Sequence, residues 1–304
     1  EVQRLRRQFG SVTAVEDLTF TVRPGVVTGF LGPNGAGKTT TMRIILGLYK
    51  PTSGTTRIGG RPYDRIVRPL HQVGALLDAN AIHPGRSARR HLLSIARSNG
   101  IGSRRVTEVL ALTGLAAVAD RRAGEFSLGM RQRLGIATAL LGDPPVLIFD
   151  EPVNGLDTDG IRWIRQFMKA VAAEGRTVFV SSHLMSEMAQ AADHLVIVGR
   201  GRLLADMSLT DFIDSNARAD VLVRAPRADE LAGRLTAHGA TVTRGEDRAL
   251  IVTGMDASTI GDLAAGDGIA VHELTPRHAS LEQAYLDITR GSTEFESSTQ
   301  ELTP

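Results

Sequence analysis

Residues 26–49 read VVTGFLGPNGAGKTTTMRIILGLY. The first six residues favour an extended chain and the last nine carry apolar residues at helical spacing, so the segment reads as strand, loop, helix. Between them Gly32 to Thr39 match G-x-x-x-x-G-K-[ST], in the structural context which that motif requires. Small residues let backbone N–H groups close around a polyphosphate at a helix N-terminus, which makes Asn34, Gly35, Ala36, Gly37, Lys38, Thr39 and Thr40 the expected cradle. Lys38 has the reach for the outer phosphates, and the Thr39 hydroxyl suits a Mg²⁺ ion.

Working outward, AVEDLTFTV (14–22), QVGALL (72–77), PVLIFD (145–150), RTVFVSS (176–182) and HLVIVG (194–199) read as further strands, most of them separated by helical pattern. Apolar strands alternating with helices predict an α/β fold with a mostly parallel sheet covered on both faces. Residues 87–141 form a mostly helical block, broken at SNGIGS (98–103) and ADRRAGEF (119–126), that looks inserted into the sheet. After Phe212 the order ADVLVRA, DELAGRLTAHG, ATVTR, ALIVTG, STIGDLAAG, IAVHEL reads as strand, helix, strand, strand, helix, strand. That order predicts a small C-terminal α+β domain of the ferredoxin-like, split βαβ kind. The expected division is therefore 1–212, 213–290 (closing with the helix SLEQAYLDITR) and a disordered, polar end at 291–304.

Composition narrows the function classes. There is no cysteine among the 304 residues, so disulfides and thiolate metal sites are excluded. A formal net charge of +2, from 35 Lys and Arg against 33 Asp and Glu, gives no long-range basic field, and nucleic acid is not an expected partner. No apolar run reaches the roughly eighteen residues a membrane span needs. The opening EVQRLRRQFG lacks the apolar stretch of an export signal, so a cytoplasmic chain is expected.

Two other places carry chemistry. VLIFDE (146–151) is an apolar strand ending in two carboxylates at its C-terminal edge, where ligands sit in open α/β sheets. Asp150 suits the Mg²⁺ shell, and Glu151 suits the proton of an attacking water. His183 follows the next strand, where its ring can hydrogen-bond a γ-phosphate. FSLGM (126–130) opens a helix at Ser127 and offers a second anion site, since free N–H groups and the helix dipole favour negative charge there.

These residues, with Asn154-Gly-Leu-Asp157 just after the carboxylate strand, resemble the ATP-binding cassette (ABC) family over about residues 1–212. The resemblance implies a P-loop cassette with an antiparallel β subdomain and an inserted helical subdomain, working as a Mg²⁺-dependent ATPase. By it GPNGAGKTT is the Walker A loop, VLIFDE the Walker B strand and FSLGM the LSGGQ-type signature. NGLD becomes the D-loop, placing Asp157 near nucleotide, and His183 the switch histidine. Phe9, in RQFG before the first sheet hairpin, looks like the aromatic that stacks on adenine, with Val15 nearby. Two features depart from the family pattern. Asp78 stands where a Mg²⁺-contacting glutamine is usual, leaving direct ligation, contact through water and a structural role all open. In the signature, Leu128 and Met130 replace a glycine and a glutamine, while Ser127 and Gly129 are kept.

In the family two cassettes pack head to tail, so the anion at Ser127 and Gly129 belongs to the neighbour's ATP. No coiled-coil insertion or tandem cassette is present, which favours the ATPase subunit of a transporter over DNA-maintenance or ribosome-linked members. The expected assembly is a cassette pair, a homodimer, on the inner face of the cell membrane with a separate multi-span permease. The stretch GALLDANAIHPGRSARRHL and the appended domain are similar to bacterial drug, antibiotic and lantibiotic exporter subunits. Asn80 to Asn99 would receive the permease, with Arg86, Arg89, Arg90 and Arg97 either pairing with it or forming a solvated face. The alternative is a non-transport ABC ATPase regulating a soluble complex; a P-loop kinase leaves the signature unexplained.

Overall fold

The computed structural model describes residues 1–216, 220–245, 247, 249–277 and 281–290; the expectation for 291–304 lies outside the described residues. The chain opens with β1 (Val2–Phe9) and β2 (Val12–Phe20), an antiparallel pair. β3 (Val27–Leu31) leads into α1 (Lys38–Ile45), and β4 (Ser53–Thr56) then joins the opening pair in a three-stranded sheet of order β2-β1-β4. β5 (Val73–Leu76) is followed by α2 (Ala88–Ser98), α3 (Ser103–Leu112) and α4 (Leu128–Ala139). The chain continues through β6 (Val146–Phe149), α5 (Thr158–Ala173), β7 (Thr177–Ser182), α6 (Met185–Ala191), β8 (His194–Gly199) and β9 (Arg202–Ser208).

The main sheet has the order β5-β6-β7-β3-β8-β9, parallel except for the β9 edge. All five residues of β3 are buried, as a strand covered on both faces requires. Phe20, Phe30 and Phe179 form the aromatic centre of the core, with ring centroids 5.1–5.7 Å apart. The topology sets the carboxyl ends of β3, β6 and β7 side by side, which is what gathers the site described below. The helical insertion joins β5 to β6. Its first and last helices begin at Ser87 and Ser127, whose hydroxyls accept from the amides of Arg90 and Met130.

Strand β1 is not evident in the sequence pattern, because three register shifts against β2 break the alternation on which strand reading depends. Phe9 consequently ends a strand inside the hairpin, opposite Val12, rather than preceding it.

The chain divides into two compact units, one of Glu1–Leu209 with residues 288–290 and one of Thr210–Asp287. The boundary thus precedes the expected 212, and the end of the last helix groups with the first unit. Leu209 is still tied to the main sheet, its amide donating to Asp193 O at 2.9 Å. After α7 (Leu209–Asn216), the second unit runs β10 (Asp220–Arg224), α8 (Ala228–Ala237), β11 (Thr241–Arg244), β12 (Leu250–Thr253), α9 (Ala257–Gly266) and β13 (Glu273–Arg277); α10 (Leu281–Thr289) follows. Its antiparallel sheet has the order β11-β12-β10-β13, so the two β-α-β halves interleave.

The last strand of that sheet lies later than IAVHEL. Gly268 has φ 64° and donates to Ala265 O, and Ile269 donates to Ala264 O. Those two bonds close the end of α9, with Ile269 buried beneath it, so Ile269 serves the helix terminus instead of the strand. Pro276, which cannot donate to a ladder, is accommodated because β13 is an edge.

Candidate functional site

The phosphate loop is shaped by its neighbours. Gly37 begins α1 at φ 94°, and a Cβ there would collide with Ala14 O. Only glycine combines that backbone with that approach. Val15 is fully buried, with Cγ2 3.4 Å from where that Cβ would lie. Buried against Gly37, the Val15 side chain packs on the loop. Asn34 and Gly35 are exposed, Ala36 is buried, and Thr40 is half-buried on the first turn of α1.

Lys38 is buried, and its Nζ donates to Gly32 O (2.6 Å) and Pro33 O (3.2 Å), 3.9 Å from Glu151 Oε1. Burial lowers its pKa, opposed by the carboxylates of Glu151 and Asp150. The amine is thus held by carbonyls and a carboxylate, groups that a polyphosphate can replace.

Strand β6 delivers the carboxylates. Asp150 donates its amide to Leu76 O, and its side chain accepts from Thr39 Oγ1 at 2.7 Å and from Ser181 Oγ. The Thr39 hydroxyl and Asp150 carboxylate are hard oxygen donors brought together from two elements, a pair that fits Mg²⁺. Glu151 turns the other way, its Oε2 3.0 Å from His183 Nδ1. Behind the histidine, Ser182 Oγ donates to Glu187 Oε2 (2.9 Å) and accepts from the Leu184 amide. Burial raises the pKa of Glu187, and the Ser182 bond opposes this.

Asp78 is exposed beyond the end of β5 and accepts from the Asn80 amide at 2.8 Å. Among the described residues no three His, Asp or Glu side chains gather in a metal-binding cluster.

The second helix N-terminus is different in kind. Ser127 is exposed and caps α4, while Leu128 lies over Gly155, where a Cβ would strike the leucine side chain. A Cβ on Gly129 would fall 2.9 Å from Gly155 O, so the turn and the NGLD segment are closely packed. Asp157 accepts from the Gly160 amide at 2.8 Å and caps α5. Phe9 is 39% exposed, with Tyr49 edge-on at 5.6 Å and the Arg7 guanidinium 4.3 Å from its centroid.

Sequence reasoning passed over Ser181 and Gln132. Both are polar residues on otherwise buried positions, which is the signal that marks them, and both bond to Glu151.

A profile of the ABC transporter family matches residues 15–154, and one described as a domain of unknown function matches residues 219–282. The bacitracin transport ATP-binding protein of Bacillus licheniformis is 43% identical over 206 residues, 67% of this chain and 67% of the relative. A lantibiotic transport ATP-binding protein of Streptococcus pyogenes is 34% identical over 206 residues, 68% of this chain and 89% of the relative. A solved ATP-binding subunit of an ABC transporter superposes with a TM-score of 0.64 at 30% identity, covering 70% of this chain and 91% of that one.

Proposed function

Because the chain belongs to the ABC transporter ATP-binding family, we propose that it is the ATP-hydrolysing subunit of a bacterial exporter of antibiotic-like compounds, working as a pair of cassettes with a separate membrane permease. The observation that carries the reading is the convergence of Lys38, Thr39, Asp150, Glu151 and His183 at one loop, with exposed Ser127 on a second helix start. Phe9 stacks on the adenine, and the backbone of residues 34–40 binds the phosphates. Lys38 exchanges its carbonyl partners for the β- and γ-phosphates. Thr39 and Asp150 hold Mg²⁺, which when bound neutralises charge on those phosphates. Glu151 accepts the proton of the attacking water, and His183 orients the γ-phosphate. Ser127 and Gly129 close over the γ-phosphate of the neighbouring cassette, with Asp157 at the seam.

No helix among the described residues is long and apolar enough to cross a membrane, which fits a separate permease and a peripheral position on the inner membrane face. The permease docks at a groove of about 620 Å³ lined by Leu48, Tyr49, Leu77, Asp78, Ile82 and Ile95. Of the arginines beside it, Arg89 is paired with Asp120, so Arg86, Arg90 and Arg97, all exposed, are the ones that meet the partner. The C-terminal unit serves docking, pairing or regulation, which truncation after Phe212 and sizing with ATP will resolve.

Co-purification with a multi-span membrane protein, and ATPase activity stimulated by it, is the expected outcome; capture of soluble partners alone would overturn the transporter reading. At Asp78 the expected result of Asp78→Asn is altered stimulation by the permease. Unchanged stimulation and unchanged Mg²⁺ dependence would make the carboxylate incidental.

A further inference from the structure

Glu151 has φ 49°, a left-handed backbone that a residue with a Cβ keeps only where its surroundings hold it there. Two buried side chains from different elements do so. Ser181, fully buried on β7, accepts from the Glu151 amide at 2.9 Å while donating to Asp150. Gln132, 4% exposed on α4, donates from Nε2 to the Glu151 carbonyl at 3.1 Å. The same carbonyl accepts from the Asn154 amide at 3.2 Å. The consequence is visible in the side chains: Asp150 points to Thr39, while Glu151 is turned towards Lys38 and His183.

We propose that Gln132 is a positioning residue for Glu151: its amide, carried on the helix that Ser127 caps, holds the turn that aims the carboxylate at the water. Only one and a half helical turns separate Ser127 from Gln132, so the helix start that meets the neighbouring cassette and the anchor of the general base belong to one rigid segment. The inference rests on the ATPase reading above and extends it to a residue that acts through the backbone of Glu151.

The test is Gln132→Met in the full chain, which keeps length and bulk and deletes the donor. Expected are a kcat reduced about tenfold, the scale of one lost buried hydrogen bond, with the KM for ATP within about twofold and a melting temperature lowered by no more than about five degrees. Without nucleotide, hydrogen exchange at the Glu151 and Asn154 amides should rise about tenfold while the rest of the chain is unaltered. Ser181→Ala, removing the other anchor, is the second variant and should raise exchange at the Glu151 amide and slow turnover. A wild-type kcat in folded Gln132→Met overturns the proposal, as does a rate loss accompanied by exchange raised evenly across the chain, which marks a merely structural role. A wild-type chain that turned over no ATP would strike the reading of the site instead, and local exchange at Glu151 would still decide whether Gln132 holds it.

Discussion

The two helix starts at Lys38 and Ser127 make an instructive pair. Each is a helix N-terminus, whose first-turn N–H groups lack carbonyl partners within the helix and attract anions. Around the first, the chain has gathered everything a phosphate needs: a buried lysine, a hydroxyl bonded to a carboxylate, a second carboxylate and a histidine. At the second, Ser127 is exposed and caps its own helix, with Leu128 packed on Gly155. A well-furnished site and a sparse one on the same chain fit the proposed assembly, in which each first site is closed by the second helix start of another copy.

The largest effect is expected from Glu151→Gln, which leaves both helix starts intact but removes the proton acceptor. Hydrolysis should fall about a thousandfold while ATP-dependent pairing persists in sizing experiments. Normal turnover would take Glu151 out of its role. Lys38→Ala and Ser127→Arg should each cost about a hundredfold in rate, and they divide the comparison directly: nucleotide binding falls in the first and stays near normal in the second. An equal mixture of those two dead variants should regain about a quarter of the wild-type rate, since half the pairs are mixed and each mixed pair holds one complete site. A mixture that stays inactive would break the head-to-tail reading.

Smaller effects probe how the second helix start is built. Gly155→Ala places a Cβ at φ 76° against Leu128, and a stability loss of about 1–3 kcal/mol is expected in urea unfolding, partly recovered by adding Leu128→Gly. Ser127→Ala should cost about 1 kcal/mol through the lost cap, a fall in midpoint seen with or without nucleotide. A much larger loss there would mean that Ser127 belongs to the subunit's own packing.

The first site was legible because its chemistry is local: nine consecutive residues from Gly32 supply the loop, the lysine and the hydroxyl, and strand and helix flank them. Strand β1 escaped notice because register shifts destroy the alternation that makes strands readable. Val15 sits near the loop in space, but whether it faced a ligand or the core depended on how β2 packs, and it is wholly buried. Ser181 and Gln132 could not be paired with Glu151 from sequence, lying 30 residues after it and 19 before it.

By itself the sequence determined the class of the protein, because glycine, lysine and carboxylate at fixed spacings have few other uses than holding a nucleotide's phosphates. It also determined the alternation of strands and helices, since apolar periodicity is a property of neighbours along the chain. Only the tertiary structure decided that Asp150 accepts from Thr39, that Glu151 turns to His183, and that Gln132 donates to the carbonyl of Glu151. Those relations depend on strand order and helix packing, which bring together residues that no local pattern connects.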